Sequence, residues 1–107
     1  MKTQDFQKLV EQSKLKPLPK QFTDNGNVLV AEGFFARHKE YPKPHYKVLW
    51  AIERGEDVHI GKPLYIEPHG TANGVYRRWT REERINAAVG DALQFMKDEG
   101  ENQVYFA

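Results

Sequence analysis

The run Asn27-Val28-Leu29-Val30-Ala31 constrains this 107-residue chain more than any other feature. Along a strand Val28 and Val30 face one way and Leu29 and Ala31 the other, because successive side chains point to opposite sides. Apolarity on both sides is what a central strand covered on both faces needs. Asp24-Asn25-Gly26 ahead of the run is a strong turn signal, since Asn and Gly accept positive φ. Behind it, Gly33 suggests a bulge or bend before Phe34 and Phe35. A helix over about residues 31–38 is the competing reading of the same stretch.

The remaining elements follow from spacing. Phe6, Leu9, Val10 and Ser13 recur at helical intervals, so residues 3–14 read as a short amphipathic helix. Pro17 and Pro19 then favour an extended connector. Pro44 suits a first helical turn and Gly55 a left-handed cap, with Val48, Leu49 and Ile52 as a stripe between them, which predicts a helix over about 44–54. Two strands, about 63–67 and 75–79, are expected to pair through a loop in which Asn73-Gly74 turns the chain. Thr80 and Glu83 form a T-x-x-E capping box, and Ile85, Ala88, Val89, Ala92, Leu93 and Met96 continue one helical face. Gly100 is the expected stop, and residues 103–107 could add a short strand. The expected fold is a single α+β domain over residues 1–107: a small, mostly antiparallel sheet of four to five short strands, packed by two to three helices.

Composition narrows the function classes. No cysteine is present, so disulfides, thiolate catalysis and cysteine zinc sites fall away, as in a reducing, cytoplasmic setting. No apolar run approaches the ~20 residues of a membrane span, so no membrane role is expected. The net charge of +1 requires any affinity for polyanions to come from a local patch. Residues 1–54 carry ten basic and six acidic side chains, and residues 55–107 carry six and nine.

Two basic stretches qualify. Arg77, Arg78, Arg81 and Arg84 fall within eight residues around the predicted helix start. A helix N-terminus with guanidinium forks can hold phosphate or carboxylate. The same arginines also lie within reach of Glu82 and Glu83, which complement the helix dipole and could neutralise the cluster internally. Strand alternation places Val75, Arg77 and Trp79 on a core-directed face, so Arg77 must snorkel, meet an acid or sit at a bulge, while Tyr76 and Arg78 face the other way. In the second stretch, residues 37–47, Lys43 and Lys47 alternate with Tyr41 and Tyr46. Aromatic faces beside cations suit a protein hot spot or single-stranded bases.

Catalytic motifs are weak. His38, His45, His59 and His69 are dispersed, with no i, i+4 pair on a helix. A metal-dependent hydrolase built on His69 and Asn73 would need a further ligand from the following helix, where Asn86 is the one candidate. Ser13 is the sole serine and has no nucleophile-elbow glycines. Without a glycine-rich phosphate loop, no cofactor is expected. The leading expectation is a small non-catalytic binding module, a regulator or inhibitor, that engages an acidic protein surface through Arg77, Arg78, Arg81, Arg84, Tyr76, Lys43, Lys47 and Tyr46. Nucleic-acid binding by the arginine cluster is the alternative, and a small metal-dependent hydrolase is third.

Overall fold

A computed structural model describes residues 2–37, 39 and 41–106, the side chains of residues 72 and 100–106 excepted. His38 and Glu40 of the second basic stretch lie outside the described residues. Two ten-residue strands, β3 (Gly26–Phe35) and β4 (His45–Arg54), form the centre of the fold. They pair antiparallel from Asn27↔Glu53 to Phe35↔His45 without interruption. Short strands fill the outer edge of each: β1 (Lys16–Pro17) and β2 (Gln21–Thr23) on β3, β5 (Asp57–Ile60) and β6 (Leu64–Ile66) on β4. All these pairings are antiparallel. A separate two-stranded ribbon, β7 (His69–Ala72) and β8 (Val75–Arg78), precedes the long helix α2 (Arg81–Phe106).

The central strands are apolar on both sides and each side has its own cover. Leu29, Ala31, Leu49, Ala51 and Val58 pack with Phe6, Val10 and Leu15 from α1 (Thr3–Gln12) and the residues after it. Val28, Val30, Val48, Trp50 and Ile52 pack with Ala88, Ala92 and Met96 of α2. At 1.5 Å per residue α1 spans ~15 Å, about half of a ten-residue strand at ~3.4 Å per residue. Rings close the rest of that face: Tyr41 stacks on Tyr65 at 5.5 Å, and the fully buried His45 lies between them and Phe35. α1 ends in a Schellman turn, in which Leu15 N–H donates to Val10 O (3.0 Å) and Lys14 N–H to Glu11 O (3.1 Å). Lys14 is left-handed there, at φ 58°, and Leu15 returns to pack beside Val10.

Several expectations are corrected. Residues 45–54 form strand β4 in place of the helix over about 44–54. Five consecutive apolar residues fit a helical stripe and a doubly covered strand equally well, and periodicity cannot separate the two. Gly55, at φ 60°, opens the two-residue turn between β4 and β5, with Arg54 opposite Asp57; glycine is favoured there in a primed hairpin turn. Gly33 makes no bulge, since it stays in register with Lys47. A Cβ at Gly33 would stand 3.0 Å from Leu15 Cδ2 and 3.1 Å from Lys14 O, so its role is to let the α1–β1 connection lie against the strand. The strand near 63–67 exists, as β6, but pairs with β4, and the partner of β8 is the unanticipated β7. Of the connector prolines, Pro17 lies within the short edge strand β1 and Pro19 follows it. α2 runs through Gly100 to Phe106, where a stop and a short strand were expected. A helical glycine costs about 1 kcal/mol relative to alanine, too little to end a helix with no proline beyond it.

Both tryptophans rest on glycines. A Cβ at Gly61 would lie 2.2–2.5 Å from the Trp50 ring, and one at Gly70 2.2–2.3 Å from the Trp79 ring. Gly90, on α2, has open space around the same position. Gly61→Ala is therefore expected to lower stability by about 1–3 kcal/mol through overpacking, and Gly90→Ala to raise it by about 0.5–1 kcal/mol through helix propensity. Urea denaturation of the two variants checks both signs.

Candidate functional site at the ribbon and helix corner

The corner where β8 runs into α2 carries the arginine cluster, and its geometry begins with the helix start. Glu83 N–H donates to Thr80 Oγ1 (3.2 Å) and Thr80 N–H to Glu83 Oε1 (2.9 Å), completing the capping box. The same carboxylate takes a fork from the strand: Arg77 Nη1 donates to Oε1 at 2.7 Å and Nη2 to Oε2 at 2.8 Å. The Arg77 fork, followed by the Thr80 N–H, holds the Glu83 carboxyl at about 2, well below its ordinary 4.5. Arg77 also lies 5.7 Å from the Trp79 ring, so its side chain is spent on the corner.

Arg84 is committed more deeply. Its Nε and Nη2 donate to Glu32 at 2.7 and 3.1 Å, and Nη1 to Trp79 O at 2.9 Å. Its guanidinium stacks 3.7 Å over Tyr46. Glu32 and Arg84 are 8% and 7% exposed, so this is a buried ion pair tying β3 to the first turns of α2. Hydrogen bonds from Arg84 to Glu32 are the main reason its guanidinium is held more firmly protonated than usual. Arg81 approaches Glu32 only to 3.8 Å, with its side chain 63% exposed.

The ribbon stands out from this corner. Asn73 and Gly74, at φ 52° and 78°, form its tight turn, the Asn-Gly arrangement whose positive φ values match strand twist. Alternation puts Gly70 and Arg77 on the side toward Trp79, and His69, Thr71, Tyr76 and Arg78 on the other. The outer side is exposed throughout, with Tyr76 at 73%. His69 stacks on Tyr76 with ring centroids 5.8 Å apart. At the base, Lys43, Pro44, Glu67, Pro68, His69 and Tyr76 line a cavity of about 450 Å³. Arg78 O accepts from Arg77 Nη1 at 3.2 Å, but the Arg78 guanidinium forms no hydrogen bond or ion pair with any described residue.

The eight sequence candidates therefore do not share one surface. Tyr76 and Lys43 meet at the cavity, and Arg78 lies beside Tyr76 on the same ribbon side. Arg77, Arg84 and Tyr46 are engaged within the corner. Tyr46 and Lys47 are adjacent in β4 and point to opposite faces of the sheet. His69 joins the outward group, although the sequence weighed it only as a metal ligand. Its stacking partner emerges from the β7–β8 register, which could not be read while residues 68–74 were taken as a loop. Among the described residues no group of three or more His, Cys, Asp or Glu side chains is placed to hold a metal ion. No helix among them is long and apolar enough to cross a membrane.

Two outcomes follow from the ion pairs. Removing one partner of the buried pair, as in Glu32→Ala, leaves a guanidinium uncompensated and is expected to cost about 3–5 kcal/mol, whereas Glu32→Leu with Arg84→Met recovers most of it; denaturant midpoints of the three proteins test this. Because the folded Glu83 carboxyl is depressed to about 2, its contribution is complete above its ordinary value and disappears as pH falls toward 2. The gap in melting temperature between wild type and Glu83→Gln is thus expected to narrow steadily from about pH 5 to about pH 2. No protein-family model, curated protein or solved structure matches this chain.

Proposed function

We propose that this chain is a small non-catalytic binding module whose β7–β8 ribbon engages an acidic surface on a protein partner. The observation that carries this reading is the ribbon's outer side: Tyr76, 73% exposed, next to Arg78, whose guanidinium has no partner among the described residues. Tyrosine and arginine dominate interface hot spots because each brings a large contact area together with directional polar groups. The ribbon is also pre-set. Trp79 lies flat under Gly70, and the Arg77–Glu83 fork joins β8 to the helix. Binding to a ribbon already held in place loses little conformational entropy.

The charge of the exposed groups favours a carboxylate-bearing partner. Arg78 and Lys43 lie on either side of Tyr76, opposed among the residues lining the cavity by Glu67. The nucleic-acid reading loses most of its support at the same corner. Two of the four guanidinium forks already hold carboxylates and Arg81 lies 3.8 Å from Glu32, so a polyanion would meet fewer free cations than the four clustered arginines suggest.

A tagged wild-type chain and the double variant Tyr76→Ala with Arg78→Glu, passed through nuclease-treated native lysate, test the proposal. A protein retained by wild type, bound at least tenfold more weakly by the double variant and unaffected by Lys97→Ala on α2, is the expected result. A complex held equally by both chains would overturn the ribbon's role. Binding that vanishes with nuclease and steepens with falling salt would establish the polyanion alternative instead.

A further inference from the structure

On the opposite end of the α2 face, between α2 and the β5–β6 connection, lies a second concavity that the ribbon does not use. Its volume is about 540 Å³, within the ~300–1,000 Å³ range of sites for small organic molecules. We infer that this cavity is a binding site for a small aromatic amine, a flat ring carrying a protonated nitrogen.

Three rings supply the stacking surface. Phe95 and His59 are nearly parallel, with centroids 4.2 Å apart and planes 15° from each other, and Trp50 lies 6.1 Å from Phe95 and 6.4 Å from His59. Trp50 is held by the sheet and by Gly61, on which its ring rests. It is 5% exposed, and its Nε1 is buried with no hydrogen-bond partner among the described residues.

The rim selects the charge. Asp91 and Asp98 are exposed on α2 on either side of Phe95, two turns and ~10 Å apart along the helix axis. Gln94 Nε2 donates to Asp98 Oδ1 at 2.9 Å, which steadies that carboxylate, while the Asp91 carboxylate forms no hydrogen bond or ion pair with any described residue. Lys62 is the one cation of the rim. Along the rim, the carboxylates of Asp91 and Asp98 outnumber the Lys62 ammonium around an aromatic floor, complementary to a cation borne on a ring. An aromatic carboxylate would meet the opposite field, and an aliphatic amine would leave the rings uncovered.

Tyramine is a suitable probe, since it joins a flat ring to an ammonium. In nitrogen–proton correlation spectra of the full chain, tyramine is expected to move the Trp50 indole and the Gly61 amide saturably. 4-Hydroxyphenylacetate and n-butylamine should bind at least tenfold more weakly. Asp91→Asn with Asp98→Asn, both on exposed positions, should weaken tyramine at least tenfold while leaving the rest of the spectrum in place, and Lys62→Ala should strengthen it. The ribbon double variant Tyr76→Ala with Arg78→Glu should bind tyramine as wild type does, so the two sites fail or succeed separately. Unmoved Trp50 and Gly61 signals, equal affinity for 4-hydroxyphenylacetate, or an undiminished affinity in the double Asp variant would overturn the assignment.

Discussion

Two adjoining strands with apolar residues on both sides set the terms for everything else in this molecule. A strand covered on one side alternates apolar and polar residues; β3 and β4 do not, so their ten-residue pair demands a cover on each face. Among the described residues two helices serve that purpose, and they are unequal. α2 is long enough to lie along its whole face, whereas α1 reaches about half of the other. The aromatic closure by Tyr41, Tyr65, His45 and Phe35 is the answer to that shortfall. Large flat rings cover area that no third helix is available to cover, and they bring a histidine into full burial as a consequence.

Charge is used inside the fold in a way its near-neutral total conceals. Glu32 stands among valines on the α2 face of β3 and would be intolerable there alone, because a buried charge needs a partner and satisfied hydrogen bonds. Arg84 provides both, and the stacking on Tyr46 and the bond to Trp79 O fix the guanidinium in one orientation. Such a pair adds little net stability compared with an apolar substitute. Its value is in register: with the fork aimed at Glu32, α2 cannot slide or rotate on the sheet without stranding two charges. Glu83 does for the ribbon what Glu32 does for the helix, while also capping α2.

The sequence disclosed a good part of this. Two-sided apolarity at residues 28–31 identified a central strand, the Thr80–Glu83 box located the start of α2, Asn73-Gly74 located a hairpin turn, and the spacing of Phe6 and Val10 located α1. Arg77 was expected to snorkel, meet an acid or sit at a bulge, and of these it meets an acid. The misread helix at residues 44–54 has a physical cause: when both faces of a strand are covered, the period of two disappears and only length and neighbours remain to distinguish strand from helix. The candidate site was less legible. Eight basic and aromatic residues close in sequence divide between the interior and the outside according to which acids stand opposite them. Glu32, the acid that removes Arg84 from the surface, is 52 residues away in the chain. Long-range pairings of this sort leave no local signature.

The ribbon's attachment has a consequence for how this fold can diversify. The ring under Gly70 and the fork from Arg77 anchor the ribbon's lower half, whereas a Cβ added at Gly74 in the turn would stand in open space. Residues could be added to or exchanged at that tip in pairs, lengthening the projection or giving it a new chemical character, while the sandwich beneath stayed as it is. A scaffold of this size thereby separates the part that must be kept from the part that is free to be rewritten.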